Sequence, residues 1–556
     1  MMKKIFYLLL LAGTAGISGQ DISDALFERI YLQTDKQLYL AGELVYMKVF
    51  TVTPEKEPLS FSKIVYVELL DEENSRVQVK IELANGVGDG WMELPLNLPT
   101  AYYRLLAYTR FMRNETESVF FGKNIAVVNT FQPNQIRIEP TDQTSDIIEP
   151  QTCSLRMDKP LYAHREKGFL KIEGLPENIH TLSVSIAGKS PASIHGNPIN
   201  QWEQQIKQPS AIHLLEQYLP EYEGHIITGK IIPVQTSDSS TDKTLIPLLS
   251  FPGEKFYLFE GQKKEDMVLF YTAHSSGIRE LVTTASTDSE NLYRIDIQSP
   301  FVEKHVKKQL PVLKIDSAYL DDLLERSVAL QALHSYTKDS VRWFRSGDHR
   351  FDMKPAHTYI LDEYTRFVVM NELIAECISQ LRFRRNNQRK QELFLAVKNG
   401  EEQIWTRPLV VLDGIPVLDH DVIYRYDPLL VERINIYQGT PVYGGLMFDG
   451  IVELLTYAHN YPGLSVNQST QIVGYAGAQT PRRLYSPDYS NEENRKSRLP
   501  DFRHTLLWEP TLPANGQSAL EIPFYTSDCK GEFLVTVEGL THKGEIIAAT
   551  TTIEVQ

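Results

Sequence analysis

The segment Asp35-Lys36-Gln37-Leu38-Tyr39 occurs a second time in the chain, as Asp158-Lys159-Pro160-Leu161-Tyr162. In each copy a glutamate follows the tyrosine by four residues, at Glu43 and at Glu166. Each copy also lies between two segments whose composition is typical of β-strands. A repeated pattern in the same local setting predicts two related β modules in series.

Strand-like runs surround the first copy. Residues 64–70 and 102–108 are rich in β-branched and aromatic residues, which favour strands. Polar turn segments separate such runs, and this alternation predicts an antiparallel sandwich. The polar residues 140–146 are predicted to link the first module to the second. A third β module is predicted to begin with the strand-like residues 225–231.

The pattern becomes helical further along. Asp316-Ser317 can cap a helix that carries Leu320, Leu324 and Val328 at i, i+4 and i+8 on one apolar face. A second helix is predicted after Asp362, with an apolar face formed by Phe367, Met370, Ile374, Ile378 and Leu381. These helices are expected to form a connector.

Composition limits the classes of protein to consider. The chain has 556 residues, 42% of them apolar, which is enough for three or four domains with real cores. Its formal net charge is −15, whereas a nucleic-acid-binding protein usually presents a basic face. We therefore expect no nucleic-acid partner.

The N-terminus resembles a secretory signal. Lys3 and Lys4 precede a short apolar run, residues 5–12, and small residues follow it. The run is too short to span a bilayer, which makes a membrane anchor the weaker interpretation. We expect an exported protein without a transmembrane span of its own.

Catalytic and metal-binding signatures are absent from the sequence. It contains no His-Glu-x-x-His, Gly-x-Ser-x-Gly or phosphate-binding loop pattern. Cys153, Cys377 and Cys529 are too far apart for zinc spacing or a disulfide framework. A Cys153–Cys529 bridge and three buried free thiols both remain open. We expect a protein that is not an enzyme and needs no cofactor or metal.

Residues 31–43 resemble an early macroglobulin-type domain of the α2-macroglobulin family, which carries a Thr-Asp-Lys/Arg…Tyr…Gly-Glu pattern before a strand. Gly42 suits a tight turn that needs a positive φ. Residues 505–510 with 527–533 resemble a further module of this type. The family's covalent trapping chemistry needs Cys-x-Glu-Gln, which follows none of the three cysteines, so covalent trapping is not expected.

Residues 408–417 resemble the strand–Asp-Gly–strand element of the plug domain of TonB-dependent outer-membrane receptors, and an Asp-Gly pair between apolar runs itself predicts a hairpin. Residues 431–439 and 442–456 resemble the plug strands that follow. The residues that carry this resemblance are Asp413, Gly414, Glu432, Arg433, Gly439, Tyr443, Gly444, Gly450 and Thr456.

Receptors of that family continue into a large barrel. At about 10 residues per strand such a barrel needs far more chain than follows Thr456 here, so we do not expect this sequence to form the pore. The resemblance implies a plug-like domain that acts without its own barrel.

A basic cluster stands out in this acidic chain: Arg382, Arg384, Arg385, Arg389 and Lys390. One interpretation is a docking patch for an acidic partner or a lipid headgroup. The other is a solvated strand and turn next to the strand-like residues 393–395.

The segment 457–495 is long for a loop and rich in tyrosine. Its candidates for partner binding are Tyr475, Arg482, Arg483 and Tyr485, since exposed Tyr and Arg are common interface anchors. A flexible linker is the alternative.

The expected fold is therefore mostly β and multi-domain: tandem macroglobulin-like β-sandwiches, a helical connector and a plug-like α/β domain. The predicted segments are a signal peptide (1–20), a sandwich (21–138), second and third β modules (150–221 and 222–310), the connector (311–380), the plug-like domain with its Tyr-rich loop (381–495) and a C-terminal β module (496–556).

The expected function is a non-enzymatic binding or scaffold role in the periplasm or at the outer membrane of a Gram-negative bacterium. The expected partner is an outer-membrane β-barrel protein engaged in uptake or secretion. The alternative is a non-covalent protease inhibitor or bait protein of macroglobulin type.

Overall fold

The computed structural model describes residues 27–132, 136–138, 151–189, 202–204, 206, 218–234, 245–252, 257–273, 275–277, 280–286, 292–315, 317–337, 354–387, 389–399, 402–439, 442–443, 446–513 and 516–556. The predicted signal peptide (1–20) and the predicted linker (140–146) lie outside these residues. Strands dominate the described residues, which confirms the mostly β, multi-domain prediction.

The first eight strands build one sandwich. They are β1 (Arg29–Thr34), β2 (Leu38–Leu40), β3 (Leu44–Val52), β4 (Ile64–Leu70), β5 (Ser75–Glu82), β6 (Val87–Glu93), β7 (Ala101–Tyr108) and β8 (Phe121–Val128). One sheet has the order β1-β3-β6 and the other β2-β8-β7-β4-β5, with β2 parallel to β8. The predicted strands at 64–70 and 102–108 are confirmed.

Two further groups of strands follow. The first comprises β9 (Ser154–Met157), β10 (Leu161–Tyr162), β11 (Lys167–Glu173) and β12 (Ile179–Gly188). The second comprises β13 (His225–Pro233), β14 (Ile246–Phe251), β15 (Tyr257–Glu260), β16 (Gln262–Lys264), β17 (Met267–Thr272), β18 (Glu280–Ser286) and β19 (Tyr293–Ile297).

Helices and short strands alternate in the next part. The helices are α1 (Leu320–Thr337), α2 (Met370–Cys377), α3 (His420–Tyr424) and α4 (Glu492–Arg495). The strands are β20 (His357–Ile360), β21 (Leu381–Arg385), β22 (Gln391–Asn399), β23 (Glu402–Thr406), β24 (Leu409–Leu412), β25 (Ile415–Pro416), β26 (Val431–Tyr437), β27 (Val442–Tyr443), β28 (Leu446–Met447), β29 (Ile451–Thr456) and β30 (Thr470–Gly474). The last strands are β31 (Thr505–Glu509), β32 (Ala519–Tyr525), β33 (Gly531–Thr541) and β34 (Ile546–Val555).

The second sandwich is assembled from two distant parts of the chain. Its sheets have the orders β32-β11-β9 and β10-β34-β33-β12-β31. In chain order the strands of the second sandwich are β9, β10, β11, β12, β31, β32, β33 and β34. They occupy the same positions in its two sheets as β1 to β8, in that order, occupy in the first sandwich. Residues 189–504 are thus inserted between its fourth and fifth strands. The division into separate modules at 150–221 and 496–556 is corrected, because β12 pairs with both β31 and β33.

The chain divides into two compact units. Within the described residues, the first unit takes those in 1–223, 301–342 and 478–556, and the second takes those in 224–300 and 343–477. The predicted boundary of the third module at 310 is therefore too late. In the second unit β30 completes the sheet β15-β14-β18-β30, so this strand of the predicted Tyr-rich loop belongs to the third module.

A mixed sheet of the order β20-β26-β29-β24-β25 forms a layer of the second unit and contains most of the strands of the predicted plug-like domain. Its one face packs on α2, α3 and the β21–β22 hairpin, and its other face contacts β14 and β15 through Leu248 and Leu258. β20 and α2 belong to this layer, so only part of 311–380 is a helical connector. The second helix begins at Met370, not after Asp362, because residues 361–363 form a separate 3-10 turn.

The repeated motif forms the same hydrogen-bond network in both sandwiches. In the first copy the Tyr39 hydroxyl donates to Asp35 Oδ1 at 2.7 Å, and the same oxygen accepts from the Tyr46 amide at 3.1 Å. Glu43 Oε2 accepts from the Leu40 amide at 3.2 Å. The aspartate therefore joins the turn to the following strand, which explains the spacing of the motif.

The second copy repeats each contact. The Tyr162 hydroxyl donates to Asp158 Oδ1 at 2.6 Å, which also accepts from the Phe169 amide at 2.8 Å. Glu166 Oε2 accepts from the Ala163 amide at 2.7 Å. The predicted repeat is thus confirmed at the level of individual atoms.

The two copies of the motif differ in how deeply their aspartates are buried. Thr505 Oγ1, on β31 of the second sandwich, donates to Asp35 Oδ2 at 2.8 Å, and Ser185 Oγ donates to the Asp35 carbonyl. Asp35 is 4% exposed, whereas Asp158 is exposed to solvent. The first copy is therefore the joint between the sandwiches, and the second is free of such a neighbour in the described residues.

Helix α1 packs on this joint through a face that the sequence did not indicate. Arg326 Nη2 lies 2.8 Å from Glu43 Oε2. Burial raises the pKa of Glu43, but Arg326 and Lys36 outweigh it and lower that pKa to about 2. The predicted apolar face was wrong, because the Arg326–Glu43 pair turns Leu324 and Val328 outward, where they are 50% and 68% exposed.

A strap, residues 301–308, crosses the β4–β7 surface of the first sandwich. The His305 ring lies 3.2 Å from both Glu68 Oε1 and Glu117 Oε2. Burial lowers the pKa of His305, but hydrogen bonds to Glu117 and Glu68 outweigh it and raise that pKa to about 9. The Val302 amide also donates to the Tyr108 hydroxyl at 2.9 Å. The strap is thus fixed by a charged histidine.

We predict that Asp35→Ala lowers the free energy of unfolding by about 3 kcal/mol and Asp158→Ala by about 1 kcal/mol. The first substitution leaves buried donors without an acceptor, whereas water replaces the second carboxylate. Urea denaturation of the full chain, followed by circular dichroism, measures both. Equal losses of stability in the two variants would contradict the finding that Asp35 is buried between the sandwiches whereas Asp158 is exposed.

We predict that His305→Gln costs about 1–3 kcal/mol of stability at pH 6. Because the folded-state pKa of His305 is raised to about 9, its contribution is full below about pH 6.5 and disappears as the pH rises through 9. Thermal unfolding of both proteins between pH 6 and 10 measures the difference. Lys304→Gln, an exposed change on the same strap, is the control; a pH-independent difference for His305→Gln would contradict the assignment.

Candidate functional site

The predicted basic cluster lies on the three-stranded sheet β21-β22-β23. Side chains alternate between the two faces of a strand. Leu381, Leu393 and Leu395 point into the core of the second unit, so their neighbours point outward. We call the outward set Arg382, Arg384, Phe394 and Trp405 the Arg–aromatic face.

Aromatic rings hold both guanidinium groups on this face. Arg382 Cζ lies 3.4 Å from the centroid of the Trp405 ring, and Arg384 Cζ lies 5.9 Å from that of Phe394. Ala396 stands opposite Trp405 on β22, and its small side chain lets the Arg382 guanidinium cross the strand. Stacking fixes the orientation of a guanidinium while its N–H edge stays available for an oxygen ligand.

Two arginines and one glutamate share this side of the sheet, because Glu392 stands directly opposite Arg384 on β22, where its Oε1 accepts from Asn386 Nδ2 at 3.1 Å. Within the described residues, neither Arg382 nor Arg384 forms an ion pair with a carboxylate. Burial and the neighbouring Arg384 charge lower the pKa of Arg382. The Arg382 Nε–H, moreover, is buried and has no hydrogen-bond acceptor. An anion placed at this face would offset the repulsion between the two guanidinium groups.

The other three cations of the cluster lie elsewhere. Arg385 alternates to the opposite face of β21, and Arg389 occupies a turn with a φ of +63°. Lys390 Nζ is paired with Asp419 Oδ2 at 3.0 Å. The predicted cluster of five thus reduces to two arginines on one face, together with two aromatic residues that the sequence analysis did not include.

Two residues of the predicted plug motif, Asp413 and Thr456, meet at one buried carboxylate. Asp413 and Gly414 form the two-residue turn between β24 and β25, with φ values of +47° and +87°, as the hairpin prediction requires. Asp413 Oδ1 accepts from the Thr456 amide at 2.8 Å, and Oδ2 accepts from the Tyr461 amide at 2.8 Å. This carboxylate is 2% exposed, so it holds the sheet together and is not available to a ligand.

Among the remaining motif residues, two glycines adopt backbone conformations with a positive φ. The structure does not explain the presence of the others. Gly450 has a φ of +136°, and a Cβ there would lie 2.3 Å from Leu395. Gly439 has a φ of +111° in open space. Glu432 and Arg433 are half-buried on β26. Tyr443 is described only by its backbone in β27, and Gly444 lies outside the described residues.

The predicted Tyr-rich loop is not one loop. Tyr475 belongs to the second unit, where its ring stacks on His225 with centroids 5.9 Å apart. Arg482 belongs to the first unit, where its Cζ lies 5.2 Å from the Trp91 ring. Arg483 is also in the first unit, and Tyr485 is 64% exposed there. Tyr475 therefore lies in a different unit from the other three candidates, Arg482, Arg483 and Tyr485.

The cysteines are free thiols, so the alternative of a Cys153–Cys529 bridge is excluded. Cys529 Sγ lies 3.7 Å from His504 Nε2, a contact that would suit a nucleophile and a base. Burial raises the pKa of the Cys529 thiol to about 11 and lowers that of His504 to about 3. A protonated thiol beside a neutral imidazole is a poor nucleophile, so the contact is a packing contact.

Within the described residues, two features were not found: a metal-binding cluster and a membrane-spanning helix. The histidines, cysteines and acidic residues of this part of the chain form no group of three or more that could hold a metal ion. None of its helices has the length and apolarity needed to cross a membrane.

Comparison with known proteins gives distant likenesses. No family model matches the chain, and no curated protein matches it. Among solved structures, Salmonella α2-macroglobulin reacted with methylamine is 9% identical over 95% of this chain and 39% of its own, with a TM-score of 0.23. Trypsin-activated α2-macroglobulin from Escherichia coli is 9% identical over 96% of this chain and 42% of its own, with a TM-score of 0.24.

An Escherichia coli adhesin is 10% identical over 47% of this chain and 60% of its own, with a TM-score of 0.12. The chain thus spans about two fifths of the length of the macroglobulins that it matches. At these identities and TM-scores, the likenesses carry no argument about activity, substrates or partners.

We predict that Arg382→Ala and Arg384→Ala each change the free energy of unfolding by less than about 1 kcal/mol, because exposed cation–π contacts contribute little. Asp413→Ala should cost about 3 kcal/mol, because it leaves the amides of Thr456 and Tyr461 and the Thr456 hydroxyl without this acceptor. Urea denaturation of the full chain compares the three. A large loss for either arginine would make the Arg–aromatic face a structural element.

Proposed function

We propose that this chain is a non-enzymatic binding or scaffold protein of a Gram-negative cell envelope. In this proposal the second unit docks onto an outer-membrane β-barrel partner through the Arg–aromatic face. The observation that carries the proposal is the pair Arg382 and Arg384, whose guanidinium groups are oriented by aromatic rings and have no carboxylate partner in the described residues of an acidic chain.

Three further observations support the proposal. The N-terminal residues 1–20 have the pattern of an export signal. The plug-like residues form a mixed sheet with the expected Asp413-Gly414 hairpin. The raised pKa of the Cys529 thiol speaks against nucleophilic catalysis at the contact between Cys529 and His504.

The architecture suits a scaffold that presents the second unit. The chain passes between the two units at 223/224, 300/301, 342/343 and 477/478. The second unit is therefore built from two insertions into the sequence of the first unit.

A non-covalent protease inhibitor or bait protein is the second candidate. Its support is the repeated macroglobulin-like motif, which forms the same network in both sandwiches. The candidate requires a segment that proteases cut, and residues 457–495 are the predicted one. Limited proteolysis of this segment followed by an assay of residual protease activity distinguishes the candidates, because docking alone leaves the protease fully active.

We predict that mild crosslinking in cells, followed by affinity purification of the full chain from detergent-solubilised envelope, recovers a large β-barrel protein. The double variant Arg382→Gln/Arg384→Gln should reduce this recovery by about 10-fold, as interface arginines often dominate binding. Mass spectrometry of the purified fraction measures it.

The matched control is Arg385→Gln/Arg389→Gln, which removes the same charge from the same strand and turn but leaves the Arg–aromatic face intact. It should retain recovery. Recovery of the chain alone, fully released in the soluble fraction, would contradict the proposed docking.

A further inference from the structure

The glutamate of the first motif copy binds an arginine. Arg326 on α1 donates from Nε to Glu43 Oε1 at 3.0 Å and from Nη2 to Glu43 Oε2 at 2.8 Å. The same Nη2 donates to the Leu38 carbonyl at 3.3 Å, and Lys36 Nζ lies 2.9 Å from Glu43 Oε2. In this copy the turn of the motif is therefore a receptor for one guanidinium group, which it holds as a bidentate pair.

The second copy repeats this receptor without the arginine. Glu166 stands at the position of Glu43, and Lys159, at the position of Lys36, forms an ion pair with it. Within the described residues no arginine pairs with Glu166. Its side chain is 24% exposed, whereas that of Glu43, which α1 covers, is 8% exposed.

Glu166 keeps acceptor capacity on both of its oxygens. Oε1 accepts from Lys159 Nζ, and Oε2 accepts from the Ala163 amide at 2.7 Å. A carboxylate oxygen has two acceptor sites, so one site remains on each. The neighbouring Arg165 does not fill them, because its guanidinium is paired with Asp528 at 2.6 Å. One site on each oxygen is the arrangement that a guanidinium fork requires.

From this comparison we infer that Glu166 is the docking site for an arginine that a second partner protein presents on a helix, as α1 presents Arg326 to Glu43. The inference goes beyond the proposed function. This partner is separate from the outer-membrane protein, and its site lies on the second sandwich, away from the Arg–aromatic face. The occupied first copy supplies the template for the occupant of the second.

The surroundings of the two glutamates differ, and the difference specifies the partner further. Beside Glu43 the sheet presents Tyr102 and Ala126, and Leu323 of α1, three residues before Arg326, packs in that apolar cluster. The strand registers place Glu532 and Glu554 at the equivalent positions of the second sandwich. An apolar residue three positions before the arginine would thus be poorly placed there.

The charges of this region favour one further cation on the partner. Glu532 is already paired with Lys189 at 2.9 Å. Glu554 is exposed and has no cation partner in the described residues. Lys530 precedes β33 at the margin of the region and disfavours a broadly basic partner. We therefore expect a lysine or arginine at i−3 of the docking arginine, on the same face of the partner's helix.

The test compares two fluorescently labelled, alanine-based helical peptides of about 15 residues. Both carry a lysine at i−3 of the central residue, which is arginine in one peptide and lysine in the other, so their charges are equal. Fluorescence anisotropy with the full-length protein gives both affinities. We expect the arginine peptide to bind at least about 5-fold more tightly, because lysine cannot form the bidentate pair.

The variant Glu166→Gln should bring the ratio of the two affinities to about 1. Glu521→Gln, an exposed change on β32 in the other sheet of the same sandwich, is the matched control and should preserve the ratio. Glu554→Gln should weaken both peptides about 2-fold without changing the ratio, and it leaves the turn of the motif untouched. Circular dichroism confirms that the variants are folded. Equal binding of the two peptides by the wild type would overturn the inference, as would equal changes in Glu166→Gln and Glu521→Gln.

The outcome is independent of the proposed function. Arg382→Gln/Arg384→Gln should bind the arginine peptide as the wild type does, and a loss there would overturn the inference by placing the peptide on the Arg–aromatic face. If the barrel partner is captured and both peptides bind equally, the docking stands and the arginine site is wrong. If the arginine peptide is preferred through Glu166 and no barrel protein is captured, the arginine site stands and the outer-membrane docking is wrong.

Discussion

The Asp35 carboxylate is the contact on which the first unit depends. It closes the turn through Tyr39, binds the amide of Tyr46 on β3 and accepts from Thr505 on β31. β31 is the first strand after the insertion, so this one side chain connects the first sandwich to the late half of the second. Burial of the carboxylate makes these bonds strong and their loss costly. Residues 189–504, which include the second unit, are thus inserted into the sandwich that the Asp35–Thr505 hydrogen bond links to the first one.

The two sandwiches share a topology but diverge on the outer face of their smaller sheet. Tyr31 and Phe50 are paired on the first sandwich and buried, whereas Ser154 and Glu173 occupy the equivalent pair on the second. Glu173 there forms an ion pair with Arg156 at 3.3 Å. The second sandwich thus presents a polar outer face at the position where the first sandwich packs an aromatic pair.

Local features of the fold were predictable from the sequence, and distant pairings were not. The Asp35–Tyr39 motif, its repeat and the Asp413-Gly414 hairpin are set by residues close in sequence, and all three are confirmed. The pairing of β12 with β33 joins residues such as Ile186 and Val535, and no local pattern reports a contact across an insertion of that length. The apolar face of α1 was misassigned because the Arg326–Glu43 pair, a tertiary contact, determines which side is buried.

The candidate site was likewise predictable only where it depends on residues that are close in sequence. The sequence indicated a basic cluster, and strand alternation alone would have separated Arg385 from Arg382 and Arg384. The contribution of Trp405 could not be read from the sequence, because it depends on the register that places Ala396 opposite it. The spread of the Tyr-rich segment over two units was equally hidden, since β30 pairs with β18 far upstream in the chain.

We propose that the β21-β22-β23 sheet recognises the outer-membrane partner and that neither sandwich of the first unit contacts it. Hydrogen–deuterium exchange of the full chain, with and without detergent-solubilised outer membrane, tests this claim most directly. We expect added protection in residues 381–406 and unchanged exchange in both sandwiches. Protection that appears in the sandwiches and spares residues 381–406 would contradict the claim.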